Sequence, residues 1–550
     1  MGLTALVAAA WMGLFPGVSA AGEVAGKSAA SRGDVANGKA LYEKKCAVCH
    51  GAQGRGDGPA EFVLFPKPRD LTKGTFKIRS TPTIPTDQDL FRTISQGMPG
   101  TSMPSWAPLT EQERWDLVAF VKSLSTAFDG AAAAKAVSIP KALPRSARLL
   151  AIGKQFYADA ECLACHGEKG RGDGPSAPTL KDEWGSPIVP YDFTISGRMK
   201  GGSSAADIYR ALTTGIGGTP MPSYADSLSE EQRWALAYYV LSLARAPRRQ
   251  PVAQETGTLT ARAVRDRLTD DPTARIWRQA RLQAVSLRTL WLRPKTIDTV
   301  RVAALHNGEE IAFLLEWDDP VMSQSVLRVE DFRDAAAIQF PLQPAHLHAP
   351  GHPEPSYVMG EKVGPVNIWH WKADWQADLA RFRDIQDRDP GMAVDAYPFA
   401  PEIEPGAPGH ERVRVAGHDP TYLTGWGAGN LFSLPTRRSA VENLNAIGVG
   451  TITSQPAEAQ VIRGRGVWAA GKWRVVMVRA LKTGKERDAQ LTPGQPIPIA
   501  FAVWDGDQGD RNGRKAVSVW QNLQIEAAPG PAGKSRTRTT PNRPAKAAAR

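Results

Sequence analysis

Two short motifs contain all four cysteines of the 550-residue chain. Each motif is Cys-x-x-Cys-His, and its residues are Cys46, Cys49 and His50 in the first copy and Cys162, Cys165 and His166 in the second. This spacing is that of a c-type haem attachment site. Two thiols one helical turn apart can bond the two vinyl groups of a haem, while the adjacent imidazole reaches the iron from one face. Because the motifs use every cysteine, no disulfide framework and no separate cysteine metal site remains to be considered.

Both motifs lie in a longer internal repeat, which argues against a chance match or half a zinc site. Residues 38–42 correspond to 153–157 before the motifs, and the glycine-rich stretch 51–59 corresponds to 167–175 after them. A repeat of this length around each motif predicts two domains of the same kind, each of which binds one covalent haem c.

The repeat also selects candidates for the second axial ligand of each iron. Haem iron of this kind is commonly held between His and Met. The first copy offers Met98 and Met103, whereas the second copy has Ile216 at the position of Met98 and Met221 at that of Met103. Isoleucine cannot bind iron, so the repeat favours Met103 and Met221. In the alternative interpretation, both methionines only fill the core.

Each copy closes with a predicted helix. Thr110-x-x-Glu113 and Ser229-x-x-Gln232 are capping boxes, and apolar residues follow both at helical spacing. This arrangement resembles class I cytochrome c, a small all-α domain with the attachment motif near its start, a methionine on a late loop and a terminal helix over the haem. The resemblance covers residues 34–126 and 145–246.

The remainder of the chain has a different character. Residues 247–295 are polar and Arg-rich at their start, and we predict a linker and lead-in there. From 296 to 526 several alternating apolar runs are joined by turn residues, with Asn307-Gly308 as the strongest hairpin signal. This pattern predicts a mainly antiparallel β-sandwich. A long Pro/Gly-rich stretch at 342–435 contains six histidines, and a loop of that size is usually functional or an insertion.

Several segments of this third domain resemble the haem b-binding γ subunits of type II DMSO-reductase-family molybdoenzymes. That group includes ethylbenzene, dimethyl sulfide, selenate, chlorate and nitrite enzymes. The main matching segments are 332–341, which reads FRDAAAIQFP, 357–360, which reads YVMG, and 365–371, which reads PVNIWHW. Shorter matches continue at 441–444, 473–476, 500–506, 515 and 520.

The resemblance implies a non-covalent haem b held between a methionine and a lysine. The Met-Gly motif carries over to Met359, and we assign the lysine to Lys515 at the start of the last strand. A lysine must be neutral to bind iron, so its pKa of about 10.4 has to fall through burial and the charge of the metal. Lys472 in a hairpin turn, Lys362 beside the Met motif and His370 between two tryptophans remain alternatives.

The two termini predict export and a basic tail. Residues 1–21 read as a signal peptide, because the apolar run from 3 to 18 is too short to span a bilayer and ends at a small-x-small site, although no basic residue precedes it. Covalent haem attachment outside the bacterial cytoplasm agrees with a periplasmic location. Six basic and no acidic residues at 527–550 predict a disordered tail, which supplies six of the eleven net positive charges.

We therefore predict a periplasmic electron-transfer subunit with two haem c and one haem b and with no catalytic residue of its own. It would relay electrons between two sets of partners. On one side are a molybdenum-cofactor catalytic subunit and an iron–sulfur subunit, and on the other is a soluble cytochrome or terminal oxidase. The cluster must lie in another chain, because no cysteine is left here to hold one. We expect neither nucleic acid nor a transmembrane segment in the mature chain. One alternative is a dihaem cytochrome fused to a haem-free sandwich that binds another ligand, and a weaker one is an enzyme in its own right.

Overall fold

The computed structural model of the protein describes residues 33–129, 135–244, 257–293, 295–342, 355–381, 383, 385–391, 430–431 and 437–527. The predicted signal peptide, nearly all of the basic tail and five of the six histidines of the 342–435 stretch lie outside these residues; His370 lies within them. In the described part of the chain, no helix is both long and apolar enough to cross a membrane.

The first two regions are helical and repeat one another. The first contains α1 (Val35–Lys45), α2 (Ala47–His50), α3 (Asp87–Gln96) and α4 (Glu111–Ser123). The second contains α5 (Ala147–Asp159), α6 (Cys162–His166), α7 (Ala205–Thr214) and α8 (Glu230–Leu243). Both predicted capping boxes form, at the starts of α4 and α8. The closing helix of each copy therefore begins where the sequence places it.

In both copies the first helix crosses the closing helix at a glycine. A Cβ on Gly38 would lie 2.0 Å from the carbonyl oxygen of Asp116 in α4, and one on Gly153 would lie 2.2 Å from that of Ala235 in α8. Only glycine permits backbones to approach this closely. The repeat thus preserves the helix crossing that sets the shape of each haem-binding region.

The third region is built on one large mixed sheet. Its strands are β1 (Thr258–Ala263), β2 (Gln283–Ser286), β3 (Arg288–Thr289), β4 (Thr299–His306), β5 (Glu310–Asp318), β6 (Ala335–Pro341), β7 (Val366–Lys372), β8 (Val441–Ala446), β9 (Thr453–Ser454), β10 (Arg463–Ala469), β11 (Lys472–Ala480), β12 (Ile497–Trp504), β13 (Ala516–Val517) and β14 (Gln521–Ile525). Two short helices, α9 (Ala373–Asp378) and α10 (Ile385–Arg388), follow β7.

The described strands form a continuous path in the order β10-β11-β5-β4-β1-β14-β12-β6-β7-β8-β9. β1 runs parallel to both of its neighbours, and the other pairings are antiparallel. β1 to β3 lie within the stretch 247–295 that was predicted as a linker, so the sheet begins earlier than expected. The physical reason is that only Leu259 and Ala261 of β1 are buried, and its other residues are polar or small.

The core of the third region lies between strands that are not neighbours in the sheet. Phe313 of β5 contacts Trp369 of β7 with ring centroids 5.8 Å apart, and Trp317 contacts Trp371 at 6.1 Å. Because β5 and β7 are far apart in the strand order, the sheet folds back on itself and encloses these rings. The described strands form one large mixed sheet. The more specific expectation from the sequence, a mainly antiparallel sandwich, stays a prediction.

Candidate haem sites

The first attachment motif presents a neutral imidazole to a buried cavity. α2 carries Cys49 and His50, and the Nδ1 atom of His50 lies 3.1 Å from the carbonyl oxygen of Arg69. A carbonyl can only accept, so Nδ1 carries the hydrogen and Nε2 keeps its lone pair free. Burial lowers the pKa of His50, which also favours the neutral ring. The imidazole is therefore prepared to bind a metal through Nε2.

The second motif repeats this arrangement. In α6 the Nδ1 atom of His166 lies 3.2 Å from the carbonyl oxygen of Tyr191, and burial again lowers the pKa of the imidazole. A tyrosine hydroxyl supports the turn after each motif: Tyr42 donates to the carbonyl of Gly51 at 2.9 Å, and Tyr157 donates to that of Gly167 at 2.8 Å. Both histidines thus have the same tautomer and the same support.

The four cysteines lie in partly buried positions, and none forms a disulfide with another. Burial raises the pKa of Cys46 and Cys49 to about 12 and that of Cys162 to about 11. All four cysteines line the two cavities described below.

Each motif opens on a cavity that also contains the methionine predicted to bind iron. The first haem c cavity has a volume of about 150 Å³ and is lined by Met98 and Met103, and the second has about 530 Å³ and is lined by Ile216 and Met221. The two loops match, because the amides of Met98 and Ile216 donate to the carbonyls of Met103 and Met221 at 3.1 and 3.2 Å. Both methionines of the first copy reach the cavity, so the choice of Met103 continues to rest on the repeat.

A third cavity of about 820 Å³ lies on the outer side of β6, β7, β8 and β12, and it brings Met359 and Lys515 together. Its wall contains four alanines, Ala335 and Ala337 of β6 and Ala500 and Ala502 of β12. In the paired strands Ala337 stands opposite Ala502. Side chains this small leave open space above the sheet, whereas the alternate residues of the same strands face the aromatic core.

Met359 is held at the cavity by an unusual backbone. Its φ is +67°, in the left-handed region that costs an ordinary residue about 1–2 kcal/mol. The turn is closed by the Gly360 amide, which donates to the carbonyl of Ser356 at 2.8 Å, and the Gly448 amide donates to the carbonyl of Met359 at 3.0 Å. Strained residues of this kind concentrate at functional sites.

Lys515 is buried at the same cavity, and burial lowers its pKa to about 8. Its Nζ lies 4.9 Å from the ring centroid of Trp504, and within the described chain its ammonium group has no ion pair or hydrogen bond. The rival lysines differ. Lys472 is about half exposed and pairs with Asp318 at 3.2 Å, and Lys362 is exposed; neither lines the cavity.

His370 and a second lysine also line the third cavity. The His370 ring stacks on Trp504 at 4.8 Å, and its buried Nε2 has no hydrogen-bond partner among the described residues. Burial first, and then Lys372, Arg333 and Lys515, lower the pKa of His370 well below its usual value. Lys372 forms a buried ion pair with Glu442. The sequence analysis missed this pair, although residues two apart in one strand face the same side, which groups Lys372 with His370.

The first helical region contributes lining residues to all three cavities. Phe62 and Val63 line the third cavity, and Val63 packs against Gly513, close to Lys515 in the chain. Pro66 and Lys77 line both the first and the second haem c cavities. The second helical region also contacts the third directly, through an ion pair between Arg198 and Asp298.

Backbone hydrogen bonds join the first helical region to the third. The Phe65 amide donates to the carbonyl of Leu290 at 2.9 Å, and the Leu292 amide donates to that of Phe65 at 2.7 Å. The Ser102 hydroxyl, next to Met103, donates to the Leu290 carbonyl at 3.1 Å. The Leu290 amide in turn donates to the carbonyl of Lys515 at 2.8 Å. This series connects a residue beside Met103 with Lys515.

Comparisons with known proteins match both kinds of region. The sequence model described as Cytochrome c matches residues 35–125 and 150–244, and the one described as Ethylbenzene dehydrogenase matches 274–516. A putative respiratory nitrate reductase heme subunit of Haloferax mediterranei is 24% identical over 238 residues, which cover 43% of this chain and 59% of that protein. The match thus spans less than two thirds of that relative.

Two further relatives match different parts of the chain. The chlorate reductase subunit gamma of Ideonella dechloratans is 24% identical over 263 residues, 46% of this chain and 79% of that protein. Cytochrome c-554(547) of Halothiobacillus neapolitanus is 34% identical over 94 residues, 17% of this chain and 98% of that protein. The chain therefore belongs to the cytochrome c family and joins two of its domains to a third domain of the ethylbenzene dehydrogenase type.

Proposed function

We propose that the chain is a periplasmic electron-transfer subunit that holds two covalent haem c groups and one non-covalent haem b. The observation that carries the proposal is the third cavity, where Met359 and Lys515 meet at a space of about 820 Å³. Each bound haem supplies one-electron redox chemistry at its iron. The residues of the chain attach the haems, orient them and exclude water from them.

The residues of the third cavity fit a haem b. Met359 offers a thioether, and Lys515 offers an amine whose pKa of about 8 brings the neutral form within reach. The alanine wall leaves room for a flat macrocycle, and Trp504 adds apolar surface. His370, whose Nε2 has no partner in the described part of the chain, is the rival for the position of Lys515.

At the haem c sites we propose that the cysteines of each motif hold the porphyrin through thioethers. His50 and Met103 would hold the iron in the first domain, and His166 and Met221 would hold it in the second. Lys77 and Pro66 line both cavities. The first cytochrome c domain contributes lining residues to all three cavities, which supports a relay from the third domain through the first cytochrome c domain to the second.

We propose that the partners are a molybdenum-cofactor catalytic subunit and an iron–sulfur subunit, with a soluble cytochrome or terminal oxidase on the other side of the relay. Relatives named as the gamma subunits of chlorate reductase and dimethylsulfide dehydrogenase support this assignment. An affinity-tagged chain expressed in its native host should co-purify with a molybdenum protein. If the purified complex contains no molybdenum, this choice of partner is wrong.

A pyridine haemochrome spectrum with acid-acetone extraction tests the haem content. The full chain, produced in a periplasm with haem-attachment machinery, should contain two haems that resist extraction and one that is extracted as haem b. Two covalent haems without an extractable one, in folded protein supplied with haem, would instead favour a dihaem cytochrome fused to a haem-free binding domain.

A further inference from the structure

Three buried carboxylates meet at one edge of the third domain, outside the haem sites. Asp319 follows β5, Asp334 precedes β6 and Asp505 follows β12. One oxygen atom of each lies within 4.8 Å of the others. Their exposed fractions are 1%, 0% and 6%. Residues separated by up to 186 positions in the sequence are thus brought together away from water.

The hydrogen bonds of these carboxylates leave one oxygen without a partner. Asp334 accepts from the Gly506 amide at 2.8 Å, from the Ser323 amide at 2.7 Å and from the Trp473 indole at 2.9 Å. The Oδ1 atom of Asp319 accepts from the Val321 amide at 3.2 Å. Among the described residues, the buried Oδ2 atom of Asp319 has no partner at hydrogen-bond geometry, and the neighbouring Trp317 indole, whose N–H is also unpaired there, lowers the pKa of this carboxyl. A buried polar atom in this state destabilises the native fold unless another group satisfies it.

The charges are also uncompensated by the described protein groups. None of the three aspartates forms an ion pair in that part of the chain, and Arg293, which acts on Asp505 from a distance, pairs with Asp510. Burial and the neighbouring carboxylates raise the pKa of Asp319 to about 8, and burial raises that of Asp334 to about 6. Such a cluster either takes up protons or binds a cation.

We propose that Asp319, Asp334 and Asp505 form a calcium site that ties together the three loops at this edge of the sheet. Calcium prefers oxygen ligands in irregular geometry and accepts backbone carbonyls beside carboxylates. Magnesium demands a regular octahedron and keeps several waters, which a site this buried accommodates poorly. The bound ion would use the free oxygen of Asp319 and would neutralise most of the buried charge.

The site has a structural consequence for the third cavity. Asp505 follows Trp504, and the loop after it leads through Gly513 to Lys515. Trp504, Gly513 and Lys515 line that cavity. Phe332 and Arg333, just before Asp334, line it as well. A cation here would hold two segments of the cavity wall in place without contacting the haem. Calcium removal should therefore loosen haem b before it affects haem c.

Equilibrium dialysis of the full-length holoprotein with CaCl₂ tests the proposal directly. After treatment with EGTA and return to calcium, we expect about one bound ion per chain, and a rise in the unfolding temperature that saturates with calcium concentration, because a ligand of the native state stabilises it by mass action. Absence of bound calcium, with the same unfolding temperature in EGTA and in CaCl₂, would overturn the proposal. A larger stabilisation by MgCl₂ than by CaCl₂ would overturn the choice of calcium.

The variant Asp319→Asn separates metal binding from a merely structural role. It keeps the shape of the side chain but removes one buried charge, so it should be at least as stable as the wild type in EGTA and should lose the calcium-induced rise. Asp318→Asn is the matched control, because Asp318 is adjacent, 57% exposed and paired with Lys472. The control should keep the full rise. An Asp319→Asn protein that responds to calcium like the control contradicts the site, and if this variant fails to fold, dialysis of the wild type decides.

Discussion

Lys515 is the residue on which the third haem site depends most directly, and its replacement gives the sharpest test of the ligand. Lys515→Ala removes the one cavity lysine that has no ion pair within the described residues. We expect the extractable haem b content to fall by about tenfold or more, since loss even of supporting groups costs 10–100-fold in metal affinity. Covalent haem c should be unchanged. Lys472→Ala, at an exposed lysine outside the cavity, is the control and should keep haem b.

The same measurement distinguishes Lys515 from His370. The imidazole of His370 is buried, and its Nε2 is unpaired as far as the described chain extends, so it is the alternative to the amine for holding the iron. If His370→Ala loses haem b while Lys515→Ala retains it with an unchanged spectrum, the ligand pair is Met359 and His370. Loss only in the lysine variant, together with loss in Met359→Ala, supports the pair predicted from the sequence.

The pKa of Lys515 predicts a pH dependence of haem b binding. Burial lowers this pKa from 10.5 to about 8, and only the neutral amine binds iron. A proton competes with the metal, so affinity should be highest above pH 8 and should fall as the pH decreases, by up to about tenfold for each unit below the pKa. Haem titration of haem b-depleted protein between about pH 6 and 9 measures the slope. A flat profile, or the same slope in Lys515→Ala, would contradict the role of the lysine.

At the scale of the elements, β6 and β12 leave room for the proposed haem b because their side chains on the cavity face are small. Ala337 and Ala502 stand opposite each other on the cavity face. Ala502→Leu should fill part of the space and reduce extractable haem b without changing covalent haem c or the helical content by circular dichroism. The larger side chain should change the free energy of folding little, because the leucine projects into the cavity rather than into the aromatic core. Undiminished haem b in a folded Ala502→Leu protein would place the haem elsewhere.

These elements also show what the sequence can and cannot predict. The capping boxes predicted where α4 and α8 begin, because a cap is a local interaction among residues three apart. β1 was not predicted as a strand, because only two of its side chains are buried and the rest of its composition is typical of a linker. The cavity brings Met359 and Lys515 together by strand pairing, so their proximity followed only from the family resemblance. The meeting of Asp319, Asp334 and Asp505 has no local signature at all.

At the scale of the whole molecule, the first cytochrome c domain is docked on the third domain through main-chain groups. Phe65 pairs with Leu290 and Leu292, and its ring lies 5.2 Å from that of Trp291. Such contacts carry no recognisable side-chain pattern, so the sequence could not predict them. The two cytochrome c domains differ at the loop that contains Ser102. This serine corresponds to Pro220 in the second domain, and proline has no hydroxyl to donate. The repeat thus departs from itself at the loop through which the first copy contacts Leu290.

Ser102 therefore offers a test of whether docking serves the relay. Ser102→Ala removes the hydroxyl that donates to the Leu290 carbonyl, which should weaken the junction by about 1 kcal/mol. We expect faster hydrogen exchange in peptides covering 62–66 and 287–292, and slower equilibration of electrons between the b-type and c-type spectra after partial reduction. Ser105→Ala is the control, because its hydroxyl donates to Ser95 within the first domain. If both variants equilibrate at the wild-type rate while hydrogen exchange at the junction increases only in Ser102→Ala, docking stabilises the fold but does not limit the relay.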